Sequence, residues 1–372
     1  MKPSRIVARC AIALSSAVFA AAYAPAGDSY VYVSLDSLQC IGIYRIDPSS
    51  GDLKPVKNVE AGGQPGSLAV DPTHRFLHAA IRSKNSVASF RINPETGDLS
   101  LIGRTSVTWN PVYLAVDRTG RYLFTAHFAD HRAAVYAIGQ YGTVQGGALQ
   151  VITTPQNPHS IRTDCSNRYL FIPCRSGEAI LTYRFNDTTG VMSPGLPDRI
   201  ATPDSTGPRH IAVHPFLNLA YVANEFEGSV TAYRLDSLNG ALARLQTLSM
   251  QIADAGGTAG PAHRGGADVH MTPDGRFLYA TNRGPNSIAA YRLDPATGVM
   301  TFIAHYPTET MPRSFAIDPA GRFLYAGGQR SGRLAAYRIE ADTGRLTLLN
   351  RYQVGKNPVW VLIVQAADQG PD

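Results

Sequence analysis

Short runs in which apolar or aromatic residues alternate with small or polar ones fill most of this chain. One stretch shows the pattern in full: "SFAID" from Ser314, "RFLYAGG" from Arg322, "RLAAYRIE" from Arg333 and "LTLLNRYQV" from Leu346. Alternation with β-branched and aromatic residues predicts four successive strands, A to D. Tight turns separate them. "DPTHR", "DRTGR", "TPDGR" and "DPAGR" join A to B, and "DPSSGDL", "NPETGDL", "DPATGVM" and "EADTGRL" join C to D. Asp and Pro open such turns, and Gly takes the left-handed position. No helix is needed anywhere.

The unit repeats. An arginine precedes an aromatic-aliphatic B strand at Arg75, Arg121, Arg168, Arg276 and Arg322, and "NLAYVAN" from Asn218 fills the remaining place. The intervals are 46, 47, 50, 58 and 46 residues. A seventh copy, "SYVYVSL" at Ser29, lacks its A strand, while "NPVWVLIV" (Asn357–Val364) is an A strand with no B after it. Strand-only repeats of this length predict a propeller. The expected fold is all-β: a seven-bladed β-propeller of four-stranded antiparallel blades, its ring closed by the C-terminal strand. Antiparallel order then puts the D–A and B–C connections at one mouth of the channel and the matched turns at the other.

The mouth is where the repeats diverge, and they diverge in ionisable residues. The A strands begin with Pro158-His159, Pro208-Arg209-His210, Asp268 with His270, and Pro312-Arg313. The B–C loops supply Arg82 and Lys84, His127, Asp130 and His131, Arg175, Glu225 and Glu227, Arg283, and Gln329 with Arg330. The 58-residue interval carries a Gly-rich insertion, Met250–Gly266, which falls over this mouth as a solvated insertion or as a flap. His210, His214 and His270 read as hydrogen-bonded structural groups in or beside A strands.

Bulk properties alter the picture at the N-terminus only. The chain has 372 residues, 44% hydrophobic and 17% charged, an ordinary globular composition. Such a length suggests two domains, but the repeats override that expectation. Lys2, Arg5 and Arg9 precede an apolar run of small residues ending at Ala24, which reads as a signal peptide over 1–24. Residues 25–372 then form one propeller domain, periplasmic or secreted. Losing the leader lowers the formal charge from +6 to +3, too little to argue for nucleic acid. No later run is long and apolar enough for membrane insertion. Cys40, Cys165 and Cys174 remain, an odd number that argues against a disulfide framework.

Several chemistries lack their signatures: there is no Gly-x-Ser-x-Gly elbow, no phosphate-cradling loop and no zinc-like histidine spacing. No metal or cofactor is expected. In "TGPRHIAVHPFLNLAYVANEFEGSVTAYRL" (from Thr206), "GGADVHMTPDGRFLYATNR" (from Gly265), "PTETMPRSFAIDPAGRFLYAGGQ" (from Pro307), "NPHS" and "NPVWVLIV", the chain resembles the β-propeller 6-phosphogluconolactonases. That family is itself similar to the fungal carboxymuconate lactonising enzymes. The resemblance covers nearly the whole chain after the leader and is densest from His159 onward. It implies a catalytic set of one histidine, two arginines and one glutamate, which fall on His159, Arg209, Glu225 and Arg283.

Hydrolysis of a lactone, a cyclic ester, needs a base for water, donors for the tetrahedral oxyanion and a proton for the leaving alkoxide. Glu225 is the preferred base and His159 the acid or orienting partner. Arg209 and Arg283 suit the oxyanion or an anionic group on the substrate. Arg82, His210, Arg313 and Arg330 are the remaining candidates for substrate contact, the three arginines as an anion-binding rim. The expected partner is a small anionic lactone. A leader departs from the cytoplasmic setting expected of enzymes acting on phosphorylated sugar lactones, so phosphorylated and plain lactones both stay open. So do lactone formation and a non-enzymatic propeller binding protein or glycan.

Overall fold

The computed structural model describes residues 27–252 and 264–366. The leader, and most of the Gly-rich insertion, lie outside these residues. Seven four-stranded antiparallel sheets form a ring, each ordered A-B-C-D. Blade one takes its A strand from the C-terminus: Pro358–Gln365 pairs with Ser29–Leu35, followed by Cys40–Ile46 and Leu53–Glu60. In that seam Ser29 faces Gln365 and Val33 faces Val361. Blades two to seven begin with A strands Pro65–Val70, Tyr113–Val116, Arg162–Thr163, Pro208–Val213, Gly266–Met271 and Pro312–Ile317.

The repeated words have physical meanings. In "DPTHRF" the Asp71 carboxylate accepts the backbone N–H groups of Thr73, Arg75 and Phe76. Asp117, Asp164 and Asp318 cap their own A–B turns in the same way. His214 replaces the carboxylate in blade five, accepting from Phe216 and Leu217 through Nδ1. The recurring arginine lies over the ring that follows it, as Arg322 lies 5.4 Å from the Phe323 centroid.

Blades are joined by apolar burial and by latches. Seven clusters of buried side chains occur, each shared by two adjacent blades. A buried B-strand tyrosine also reaches across to the C–D turn of the next blade. Tyr32 donates to the Gly97 carbonyl, Tyr221 to Gly298, Tyr279 to Gly344 and Tyr325 to Gly51, at 2.7–2.8 Å. The last of these ties blade seven to blade one. Gly298 has φ +67°, and a Cβ there would lie 2.0 Å from Leu219, so the turn admits only glycine.

Two details depart from the sequence expectation. The B–C corners Asp36–Leu38 and Arg82–Lys84 each wind a single 3₁₀ turn, closed by a left-handed Gln39 or Asn85. Blade four's A strand shrinks to Arg162–Thr163, preceded by one isolated bridge from Pro158 to Cys174. Among the three cysteines, Cys40 and Cys174 are buried and Cys165 is exposed, all as free thiols.

Replacing Tyr325 or Tyr32 by Phe removes a latch and leaves a turn carbonyl unsatisfied. Each change is expected to lower unfolding free energy by about 1–2 kcal/mol, read as a lower urea midpoint at unchanged slope. A midpoint equal to that of the parent protein would reject the latch.

Candidate active site

At the mouth, the first residue after a B strand turns inward in six successive blades: Arg82, Phe128, Arg175, Glu225, Arg283 and Gln329. With Val112, His159 and Arg313 from the starts of A strands they line a pocket of about 220 Å³. That is small beside pockets for drug-sized ligands. Bulges do part of the aiming. The A–B pairing slips between Pro208 and His210, between Gly266 and Val269, and between Pro312 and Ser314. Arg209, Asp268 and Arg313 sit in those slips, where the backbone re-directs side chains toward the channel.

Glu225 is the hub. Its Oε1 lies 2.8 Å from Arg175 and 3.0 Å from Arg283, and its Oε2 lies 3.0 Å from Arg209 Nε. The Arg209 contact is off the hydrogen-bonding direction, so that pair is Coulombic. Arg209 instead donates to the Ala267 carbonyl. Arg175 is stacked over Phe128 and Phe226, 4.7 and 5.0 Å from their centroids. Arg313 has no carboxylate at ion-pair distance among the described residues, and the Nε atoms of Arg82 and Arg175 are buried without partners.

Charge crowding shapes the protonation states. Burial acts to raise the Glu225 carboxyl, but Arg209, Arg283 and Arg175 together hold it at about 2. Burial, Arg283 and Arg82 push Arg313 down to about 10. Arg209 is also shifted downward, by burial and then by Arg313 and Arg283, but a guanidinium keeps its proton in proteins. His159 falls well below the ordinary histidine value, through burial first and then Arg209, His210 and Arg313. It is therefore neutral at neutral pH, and its Nδ1 is buried without a partner.

The structure brings His159, Glu225, Arg283, Arg82 and Arg313 to one wall. Three expectations need correction. Arg209 is 1% exposed and lies beneath Glu225, so it braces the carboxylate and does not touch the open pocket. His210 is buried behind His159, its Nδ1 bonded to Asp268, and does not reach a substrate. Arg330 is exposed outside the wall, where the preceding residue, Gln329, is the one that lines it. Arg175, Phe128, Val112 and Gln329 were absent from the expected site. The rule that finds most of them is the first position past each B strand.

A larger cavity, about 480 Å³, opens among A strands and A–B turns, with His270, Arg118 and Arg162 on its wall. Its carboxylates Asp71 and Asp117 are spent capping turns. The smaller pocket holds the unspent donors and is the candidate site.

Comparison with known proteins agrees with this geometry. Residues 24–363 match the family described as lactonase, 7-bladed beta-propeller. The chain belongs to the seven-bladed β-propeller lactonase family. It is 34% identical over 334 residues to the 6-phosphogluconolactonase of Serratia proteamaculans, covering 90% of this chain and 98% of the relative. The Pectobacterium carotovorum 6-phosphogluconolactonase is 35% identical with the same coverage. Among solved structures, the periplasmic gluconolactonase of Pseudomonas aeruginosa superposes with a TM-score of 0.82 at 25% identity, covering 91% of this chain and 100% of that one.

Glu225→Gln leaves Arg175, Arg209 and Arg283 without their shared anion. This member of the lactonase family is expected to lose about 2–4 kcal/mol of stability, partly restored by added phosphate or sulfate. A carboxyl held below its ordinary 4.5 stabilises the fold above that pH and loses the contribution as pH falls toward about 2. The variant should therefore show a flatter stability profile across that window. Unchanged thermal midpoints with and without phosphate would remove Glu225 as the organising anion.

Proposed function

We propose that this chain hydrolyses a sugar-type lactone of the 6-phosphogluconolactone kind in the arginine-lined pocket. One observation carries the reading: four arginines and a single carboxylate line a pocket sized for one small molecule. That balance favours a substrate bearing a phosphate or carboxylate. The family, and relatives named 6-phosphogluconolactonase over nearly their full length, support the lactone.

The roles follow from the ion pairs. Both oxygens of Glu225 are ion-paired to arginines, whereas among the described residues no ion pair engages His159. We therefore assign the base to neutral His159 and leave Glu225 to hold the arginines in place. Water attacks the lactone carbonyl while His159 takes its proton. The tetrahedral oxyanion forms beside the N–H groups of Arg283, Arg175 or Arg313. Collapse breaks the ring C–O bond, the leaving alkoxide takes the proton back from His159, and the product acid ionises to solvent. Arg82 and Arg313 are left for the anionic substituent.

His159→Gln is expected to lower kcat for lactone opening by about 100-fold or more. In the parent protein, kcat/KM corrected for spontaneous hydrolysis should stay level across neutral pH, because His159 protonates only below the ordinary histidine range. A limb near 6.5 would overturn the lowered protonation of His159, and unchanged kcat in His159→Gln would reject His159 as the base. Arg313→Ala should impair 6-phosphogluconolactone more than gluconolactone; equal losses on both would remove the anion argument.

Export completes the proposal. The first 24 residues read as a leader, and one structural relative is a periplasmic gluconolactonase. N-terminal sequencing of the protein recovered from fractionated cells should begin at Pro25 in the periplasmic or secreted fraction. A chain beginning at Met1 in the cytoplasm would overturn this.

A further inference from the structure

Beneath the pocket, polar side chains run through the core of the ring in a continuous line. Asp268, fully buried at the start of blade six, places Oδ1 2.7 Å from Nδ1 of His210. Its other oxygen lies 3.2 Å from His270 Nε2 and accepts the Phe315 backbone N–H at 3.3 Å. Both carboxylate oxygens are therefore anchored, and the group cannot turn away from His210. The His210 ring packs edge-on against His159, with centroids 5.2 Å apart. Tyr113 and Trp360 close around His210 at 5.3 and 5.8 Å.

Two nitrogens in this line are unspent. His210 Nε2 and His159 Nδ1 are both buried, and neither has a hydrogen-bond partner. A neutral imidazole has one N–H and one lone pair, and the partner of one nitrogen decides the state of the other. Asp268 is a carboxylate and only accepts, so His210 carries its proton on Nδ1. Its Nε2 is then a bare lone pair beside His159. The ring packed edge-on against it is His159, whose Nδ1 is the other unpartnered nitrogen of the line and can answer the lone pair in its N–H form.

We propose that Asp268 and His210 act as positioning residues that hold His159 in the Nδ1–H tautomer, leaving Nε2 as the lone pair available to the substrate water. The kinetic consequence rests on the lactonase reading given above; the tautomer does not. The line has the logic of a carboxylate orienting a catalytic imidazole, lengthened by one ring. His270 serves as the outer anchor, on the wall of the opposite cavity. The cations facing these rings, Arg209 from blade five and Arg313 from blade seven, disfavour a second proton on either imidazole. Burial and Arg209 bring His210 down to about 3, so this ring stays a neutral imidazole at neutral pH. Asp268 remains ionised because His270 and His210 outweigh its burial.

The test combines nitrogen-15 spectroscopy with kinetics. Long-range proton–nitrogen spectra of histidine-labelled protein should show His159 and His210 both protonated at Nδ1 and bare at Nε2 near neutral pH. Asp268→Asn and His210→Gln should each shift His159 toward the Nε2–H form or a mixture. Both should also lower kcat on the order of 100-fold, with KM changed less than about threefold. His159 protonated at Nε2 in the parent protein overturns the proposal, as does a His159 tautomer unmoved in both variants. If Asp268→Asn does not fold, judged by near-ultraviolet circular dichroism, His210→Gln and the parent spectra still decide. If no lactone is turned over by the parent protein, the lactonase reading fails while the spectra still decide the tautomer.

Discussion

Closure of the ring by the C-terminal strand is the constraint on which everything else rests. Pro358–Gln365 supplies the inner strand that Ser29–Leu35 lacks, so neither end of the sheet series is left with unpaired backbone. Closure also fixes where the inner strands stand. A seven-blade circle seated on seven shared apolar clusters has one radius that satisfies all the interfaces at once. At that radius the residues following the B strands of six blades converge on a pocket of about 220 Å³. No two of them need be near in sequence, because the circle supplies the proximity.

Convergence of cations is costly, and Glu225 is what makes it tenable. Arg209 is 1% exposed and is surrounded by Arg283 and Arg313. Without an anion such a cluster would repel itself apart or draw in solvent. One carboxylate shared by three guanidiniums resolves the repulsion only partly, which leaves a site with an unmet demand for negative charge. The same arrangement disables Glu225 as a proton acceptor, since its lone pairs are committed to cations. On the proposed mechanism proton transfer falls to His159, a titratable wall residue that carries no charge at neutral pH. Electrostatics would then divide the labour between the glutamate and the histidine.

Much of the fold was legible because each repeated word has one local cause. The aspartate of the A–B turn accepts the amides of the arginine and aromatic that follow it, so the motif announces its geometry. The four residues implied by the family resemblance did come together, three of them in ion-pair contact. What was not legible is register at the mouth. Arg330 and Gln329 are neighbours in one turn, and a difference of one residue separates wall from solvent there. Arg209 sits in a bulge, and the bulge depends on pairing with Leu219–Asn224, which one strand's sequence does not declare. Asp268 and His210 were visible as residue types but not as a bonded pair, since they stand 58 positions apart.

The uniformity of one face and the variety of the other follow from the same mechanics. The latches from Tyr32, Tyr221, Tyr279 and Tyr325 all end on C–D turns, and the aspartate caps all lie in A–B turns. These fastenings therefore gather on the turn side of the ring. A change there disturbs both a turn and the neighbouring blade, so its chemistry is constrained to aspartate, glycine and tyrosine. Among the described residues the B–C corners carry no tyrosine latch of this kind; their cross-blade contacts include the ion pairs of Arg175 and Arg283 to Glu225. They are free to hold arginine in one blade, glutamate in the next and glutamine in another, provided the charges balance locally. The repeated fastenings thus gather at one end of the channel and the varied charges at the other, and Asp268 with its two histidines is the polar thread between them.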